Sequence, residues 1–380
     1  MAQRRALGAG VCGVIYLDYQ ATTPLAPEAF DAMLPWLRHQ HANPHSAHAA
    51  GRKAKAVVEV ARSRIAEHFG DDGDIAFTSG ATEALNWAIK GTKGPIVTLA
   101  TEHAAVLDTV EAERARGRTV TILPVGTDGL VDLGVAEAAI GPGTGLVAAM
   151  LVNNEIGVVQ PIAELAELAH RAGALMLCDA VQGFGRVSIP SNCDLVALSA
   201  HKVYGPKGIG ALWIRKGVAL APLLHGGAQE AAGRSGTLSP ALCAGFGEAA
   251  RLLQTEEYPD ALKVDCLWTL ATERLGPEWH INGSTEQRYH GNLNIRRDGL
   301  DVARSMSDLR DIAFSAGSAC ASGSGRSSHV LRAIGLSEAQ ARASIRLGFG
   351  RYTTEAELAE AIDRIVAAAD AQRIAGGIAA

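Results

Sequence analysis

The chain has 380 residues, 48% of them apolar, and a formal net charge of −5 with acids and bases mixed along its length. That is enough for one large folded unit with a smaller one attached, and it leaves no basic stripe for nucleic acid. The longest unbroken apolar run, residues 146–152, is far too short to cross a bilayer, so no membrane span is expected. Six scattered cysteines, with no C-x-x-C pair and no Cys/His cluster at zinc spacing, point to free thiols in a reducing cytoplasm and to no metal site.

In chain order, the opening stretch "MAQRRALGAGVCGVIYLDY" joins two arginines to a small apolar run, but no small-x-small cleavage site precedes a clear mature start. It reads as a loose extension leading into a strand at residues 15–18. "APEAFDAMLPWLRHQ" spaces Phe30, Met33, Leu34 and Leu37 as one face of a helix with Pro27 near its start. "KAKAVVEVARSRIAEHFG" repeats the helical pattern and stops at Gly70. Short apolar strands are then expected at residues 95–100, 119–125, 145–154, 175–180, 194–200 and 209–215, with a crossover helix over 162–173. The alternation predicts an α/β fold with a mostly parallel sheet covered by helices. Past about residue 257 the pattern changes to a helix, the strand "GNLNIRR", a Ser/Gly-rich stretch, "ASIRLGFGRYT" and a last amphipathic helix. The expected division is an extension over 1–15 joining the small domain, a large α/β domain over 16–257, and a small α+β domain over 258–380.

Ligands of open α/β sheets bind at the carboxyl ends of strands, and three expected strands end in polar groups there. "LVNN" ends in Asn154, "LCDAVQ" in Asp179 with Gln182 one turn on, and "LSAHK" in Ser199, His201 and Lys202. Alone, such a lysine is a surface lysine and such an aspartate caps the next element. Together, a lysine able to form a Schiff base and an aspartate able to keep a pyridinium protonated are the groups that pyridoxal phosphate requires. "TSGATEALNWAIKG" offers either a phosphate-binding turn at a helix start or an ordinary cap by Ser79 or Thr82; the lysine and aspartate favour phosphate.

"YLDYQATTP", "NPHS", "FTSGATEA", "TEHAAVLD", "VNNEIGVVQPI", "CDAVQ", "SAHKVYGPKGIGAL", "HGGAQE", "RSGTL", "SAGSAC" and "IRLGFGRYT" follow one another in order. Together they resemble the cysteine desulfurases of the NifS/IscS type, a branch of the class V aminotransferases with the pyridoxal-phosphate-dependent type I fold. The resemblance implies that Lys202 holds the cofactor, Asp179 pairs with its ring nitrogen, Gln182 bonds its phenolic oxygen and His103 stacks on the ring and shuttles protons. It further implies a phosphate site of Ala81, Thr82, Ser199 and His201, with Thr237 supplied across a homodimer. Asn154 and Arg346 would hold the substrate carboxylate, a task for which an arginine's fork is suited. Cys320, in "SAGSACASGSGRSSHV", would attack the sulfur of bound L-cysteine, leaving L-alanine and an enzyme persulfide for an acceptor protein in iron-sulfur assembly or another pathway. Serines and glycines around it suit a thiol with two destinations.

The chain also departs from the family pattern. Gly325, Arg326 and Ser327 stand where leucine, glutamate and proline are usual, Ala228 replaces a third glycine, and Leu177 replaces a histidine before Asp179. Two other readings share most of these residues: a related pyridoxal enzyme, such as a selenocysteine lyase or aminotransferase, that does not depend on Cys320, and a non-catalytic interaction protein that kept the fold.

Overall fold

The strand expected near residue 15 is short: β1 (Ile15–Tyr16) pairs in parallel with β11 (Ile312–Ala313). This computed structural model describes residues 13–230, 233–317 and 327–378. The apolar runs of the first half form one seven-stranded sheet of β2 (Gly73–Thr78), β3 (Ile96–Leu99), β4 (Val120–Leu123), β5 (Leu146–Met150), β6 (Leu175–Asp179), β7 (Leu195–Ser199) and β8 (Gly210–Arg215), in the order β2-β8-β7-β6-β5-β3-β4. Every residue of β3, β5 and β7 is buried, as strands covered on both faces should be. β8 runs antiparallel to β2 and β7, while the other neighbouring pairs are parallel.

One face of the sheet packs on helices Ala49–Ala66 and Ile162–Arg171 through Val58, Ile65, Leu165 and Ala169; the other packs on Ala81–Gly91 through Ala84, Leu85 and Trp87. Leu177 belongs to that second core, fully buried in the same cluster as Ala84 and Trp87, and does not line the cleft beyond the carboxyl ends of the strands. In helix Pro27–Arg38 the expected apolar face is only partly covered: Ala29 and Met33 are buried, whereas Phe30 and Leu37 are exposed.

A four-stranded antiparallel sheet, β12 (Ser315–Ala316), β13 (Ser344–Gly348), β10 (Asn292–Arg296) and β9 (His280–Ile281), builds a separate core with helix Glu355–Ile378. Leu17 is fully buried in that core, held by its N–H to the Ala313 carbonyl at 2.8 Å. Helix Pro240–Arg274, capped by Ser239 and begun by a proline, connects the two regions, and the boundary expected near residue 257 falls inside it.

Candidate active site

Beyond the carboxyl ends of β5, β6 and β7 lies a cleft of about 540 Å³. β6 delivers Asp179, a buried carboxyl whose Oδ1 accepts the Val181 N–H at 3.0 Å. Burial lifts its pKa above the ordinary aspartate value, while the Val181 N–H and the nearby His103 and Lys202 pull it back. β7 ends at Ser199, and the 3₁₀ turn Ala200–Lys202 carries His201 and Lys202 over the sheet edge. Lys202 Nζ donates to the Gln20 carbonyl and to the Ala21 carbonyl, the second at 2.8 Å. Thr23 Oγ1 clasps the turn, donating to the His201 carbonyl at 3.0 Å and accepting the Tyr204 N–H at 2.7 Å. Tyr204 is thereby held at φ 64°, a left-handed conformation that a bulky residue adopts only when its neighbours impose it.

His103 caps helix Ala104–Ala115 by accepting the Ala105 N–H on Nδ1 at 3.0 Å, so the neutral ring carries its proton on Nε2. Burial, reinforced by Lys202 and His329, keeps its pKa below that of an ordinary histidine against the opposing pull of Asp179. On another wall, helix Ala81–Gly91 begins without a side-chain cap, which leaves its first N–H groups available to an anion. Gly210 makes room for that start: a Cβ there would lie 2.7 Å from the Gly80 carbonyl carbon.

From β13 comes Arg346, buried, with Nη1 donating to the Asn154 carbonyl at 3.0 Å and Nη2 to Asp18 Oδ1 at 2.8 Å. Its Nε has no partner among the described residues. Asp18 Oδ1 also accepts the Ser315 hydroxyl at 2.8 Å. Further along the chain, the Ser328 hydroxyl donates to buried Glu155 and accepts the Leu331 N–H at 3.0 Å, and His329 Nε2 donates to the Glu102 carbonyl at 2.9 Å. Hydroxyl to carboxyl contacts therefore tie down the chain on either side of residues 318–326.

Ala81, Thr82, His103, Asn154, Asp179, Gln182, Ser199, His201, Lys202 and Arg346 all line the one cleft. Thr237 is exposed and does not line it, and Cys320 lies outside the described residues. Asp18, Gln20, Ala21, Glu102 and Glu155 had no assigned role, although each lies in a quoted motif; Gln20, Ala21 and Glu102 act here through main-chain carbonyls, which side-chain identity does not reveal. Ala228, standing where the pattern has glycine, adopts φ 47° with its N–H on Ser235 Oγ at 3.1 Å.

The aminotransferase class-V family pattern matches residues 15–360. The chain belongs to that family. It is 43% identical over 376 residues to a cysteine desulfurase IscS of Rickettsia typhi, covering 94% of this chain and 92% of that protein. The corresponding protein of Rickettsia bellii is 44% identical over 368 residues, with 92% and 90% covered. Among solved structures, a NifS-like protein from Rickettsia africae superposes with a TM-score of 0.87 at 30% identity, covering 94% of this chain and 99% of that one. SspA in complex with cysteine gives 0.79 at 36% identity, covering 89% and 99%.

As a class-V member with the type I fold, the protein is a pyridoxal-phosphate-dependent enzyme, and its cleft fits that cofactor. Asp179 is a buried carboxyl whose ionised form is favoured by a protonated ring nitrogen. The uncapped helix start, with Ser199 and His201 lining the same cleft, suits a phosphate.

Proposed function

We propose that the protein removes sulfur from L-cysteine, releasing L-alanine and keeping the sulfur as a persulfide on Cys320 for an acceptor protein. One observation carries this reading: Lys202, Asp179, His103 and Arg346 converge on a single cleft, bringing together an amino group, a buried acid, an imidazole and a carboxylate-binding fork. Lys202 would anchor pyridoxal phosphate, with Gln182 on its phenolic oxygen, His103 against its ring, and Ala81, Thr82, Ser199 and His201 at its phosphate. The bound cofactor supplies an electron sink for the pair left behind when the Cα proton departs.

Arg346 orients the substrate by its carboxylate, with the Asn154 carbonyl fixing one side of the guanidinium. Lys202 Nζ takes the Cα proton, and Asp179 keeps the ring nitrogen protonated. His103, neutral near pH 7 because burial lowers its pKa, moves a proton at Nε2. Cys320 then attacks the substrate sulfur as a thiolate. The new S–S bond forms as the Cβ–S bond breaks, and the electron pair stays with Cβ, which takes up a proton to become the methyl group of alanine, while Lys202 Nζ returns the proton to Cα. L-cysteine and one thiol thus become L-alanine and one persulfide.

Thr237, exposed on this chain, completes the phosphate site of a second copy, so the working unit is a homodimer. Free Cys178, Cys193, Cys243 and Cys266 support a reducing cytoplasm as its compartment. The persulfide sulfur goes to iron-sulfur assembly or a comparable acceptor.

Cys320→Ser tests the reading. The variant should keep the visible absorbance of bound cofactor but form no persulfide and lose sulfide release from L-cysteine. Full sulfide release by the variant would instead identify a pyridoxal enzyme that does not depend on Cys320.

A further inference from the structure

Arg186 stands in a turn behind the lysine and has no part in the roles assigned above. Its Nη1 donates to Gln182 Oε1 at 2.6 Å, its Nη2 donates to the Lys202 carbonyl at 2.6 Å, and its guanidinium lies 5.2 Å from the centroid of the Tyr289 ring. An arginine can only donate, so Gln182 must turn its oxygen toward Arg186 and its nitrogen away. Gln182 Nε2 then donates one hydrogen to the Gln20 carbonyl at 2.9 Å and retains a second for the cleft that Gln182 lines. The same Gln20 carbonyl accepts Lys202 Nζ. Arg186 therefore holds Lys202 directly at its main chain and, through Gln182 and Gln20, at its amino group.

The charge of Arg186 also lacks a local answer. Among the described residues no carboxylate pairs with it, and Asp260, which shares a small cavity with it, is held by Arg351 at 2.7 Å. A cation beside a lysine favours the unprotonated amine, and a fixed amide N–H favours an ionised oxygen opposite it.

We infer that Arg186 is a positioning residue: it presents the Gln182 N–H to the ring oxygen of the bound cofactor and lowers the proton affinity of the Lys202 site. The inference rests on the reading of Lys202 and Gln182 proposed above. The other groups facing this site are Asp179 on β6, His103 at its helix start, His201 and Lys207 on the lysine's own side and Arg346 on the cleft wall, with Tyr289 and Asp260 behind Arg186. None of them is altered by the test.

Arg186→Met keeps the length of the side chain and removes the fork and the charge. In the cofactor-loaded enzyme, the pH midpoint of the visible absorbance should rise by about one unit, a tenfold gain in proton affinity. Arg186→Lys, which keeps a charge but not the fork, should show a smaller rise and decides the matter if the methionine variant does not fold. A midpoint equal to that of the unaltered enzyme, with the cofactor bound, overturns the inference. Failure of the unaltered protein to develop visible absorbance with pyridoxal phosphate would instead overturn the functional reading beneath it.

Discussion

Asp179 and Lys202 leave neighbouring strands, β6 and β7, at the same edge, so a buried acid and an amine come to serve one cleft. Asp179→Asn should retain the cofactor, checked by absorbance, yet lower kcat by about a hundredfold or more, because the neutral amide no longer favours a protonated ring nitrogen. His201 offers a separate test. Burial first, then the charges of Lys202, Lys207 and Arg186, push its pKa from 6.5 down to about 4. A depressed pKa contributes stability above the unfolded value that is lost as pH falls through the folded one. Between pH 6.5 and about 4 the cofactor-free protein should therefore lose stability relative to His201→Gln, as read by denaturant unfolding at each pH. Much of this site was legible in the sequence because strand ends mark a ligand edge, which singled out Asn154, Asp179 and Lys202. Arg186 was not, since its value lies in two contacts, one to a carbonyl and one to an amide oxygen, that only folding brings together.

Elements were legible where composition carries direction and length, and obscure where it does not. The apolar runs located β3 to β8, but nothing in "IGALWIR" shows that β8 runs against its neighbours. β2 escaped notice because it opens with Gly73 and Asp74, so the segment reads as the approach to a turn. Of the three departures that fall on described residues, Ser327 donates its hydroxyl to Glu338 Oε2 at 2.6 Å, and the other two have different consequences. Leu177 fits its core, whereas Ala228 sits at φ 47°, where a Cβ is strained. Ala228→Gly should relieve that strain, partly offset by a more flexible unfolded chain, and raise stability by up to about 1 kcal/mol in urea unfolding. Ser328→Ala removes a helix cap and deprives buried Glu155 of its hydroxyl partner. Denaturant unfolding should show a loss of about 2 kcal/mol.

For the molecule as a whole, the first described strand belongs with the last third of the chain rather than with the helices next to it in sequence. β1 pairs with β11, and Leu17 is buried among Leu293, Ile345 and Phe349. Leu17→Ala should therefore destabilise the protein by about 2 to 5 kcal/mol, measured by urea unfolding, despite its place near the start of the described chain. Sequence periodicity cannot show such a pairing, because it reports neighbours along a helix or strand and not partners nearly 300 residues away. The ties at Ser315 and Ser328 have a consequence of their own, since they act as two mooring posts. Cys320 lies five residues from the first and eight from the second. A stretched chain spans at most about 3.6 Å per residue, so the shorter line restricts the Cys320 Cα to a sphere of about 18 Å around Ser315. On the proposed reading, an acceptor would have to bring its sulfur-receiving atom within reach of that sphere, which would tie delivery to the neighbourhood of Ser315.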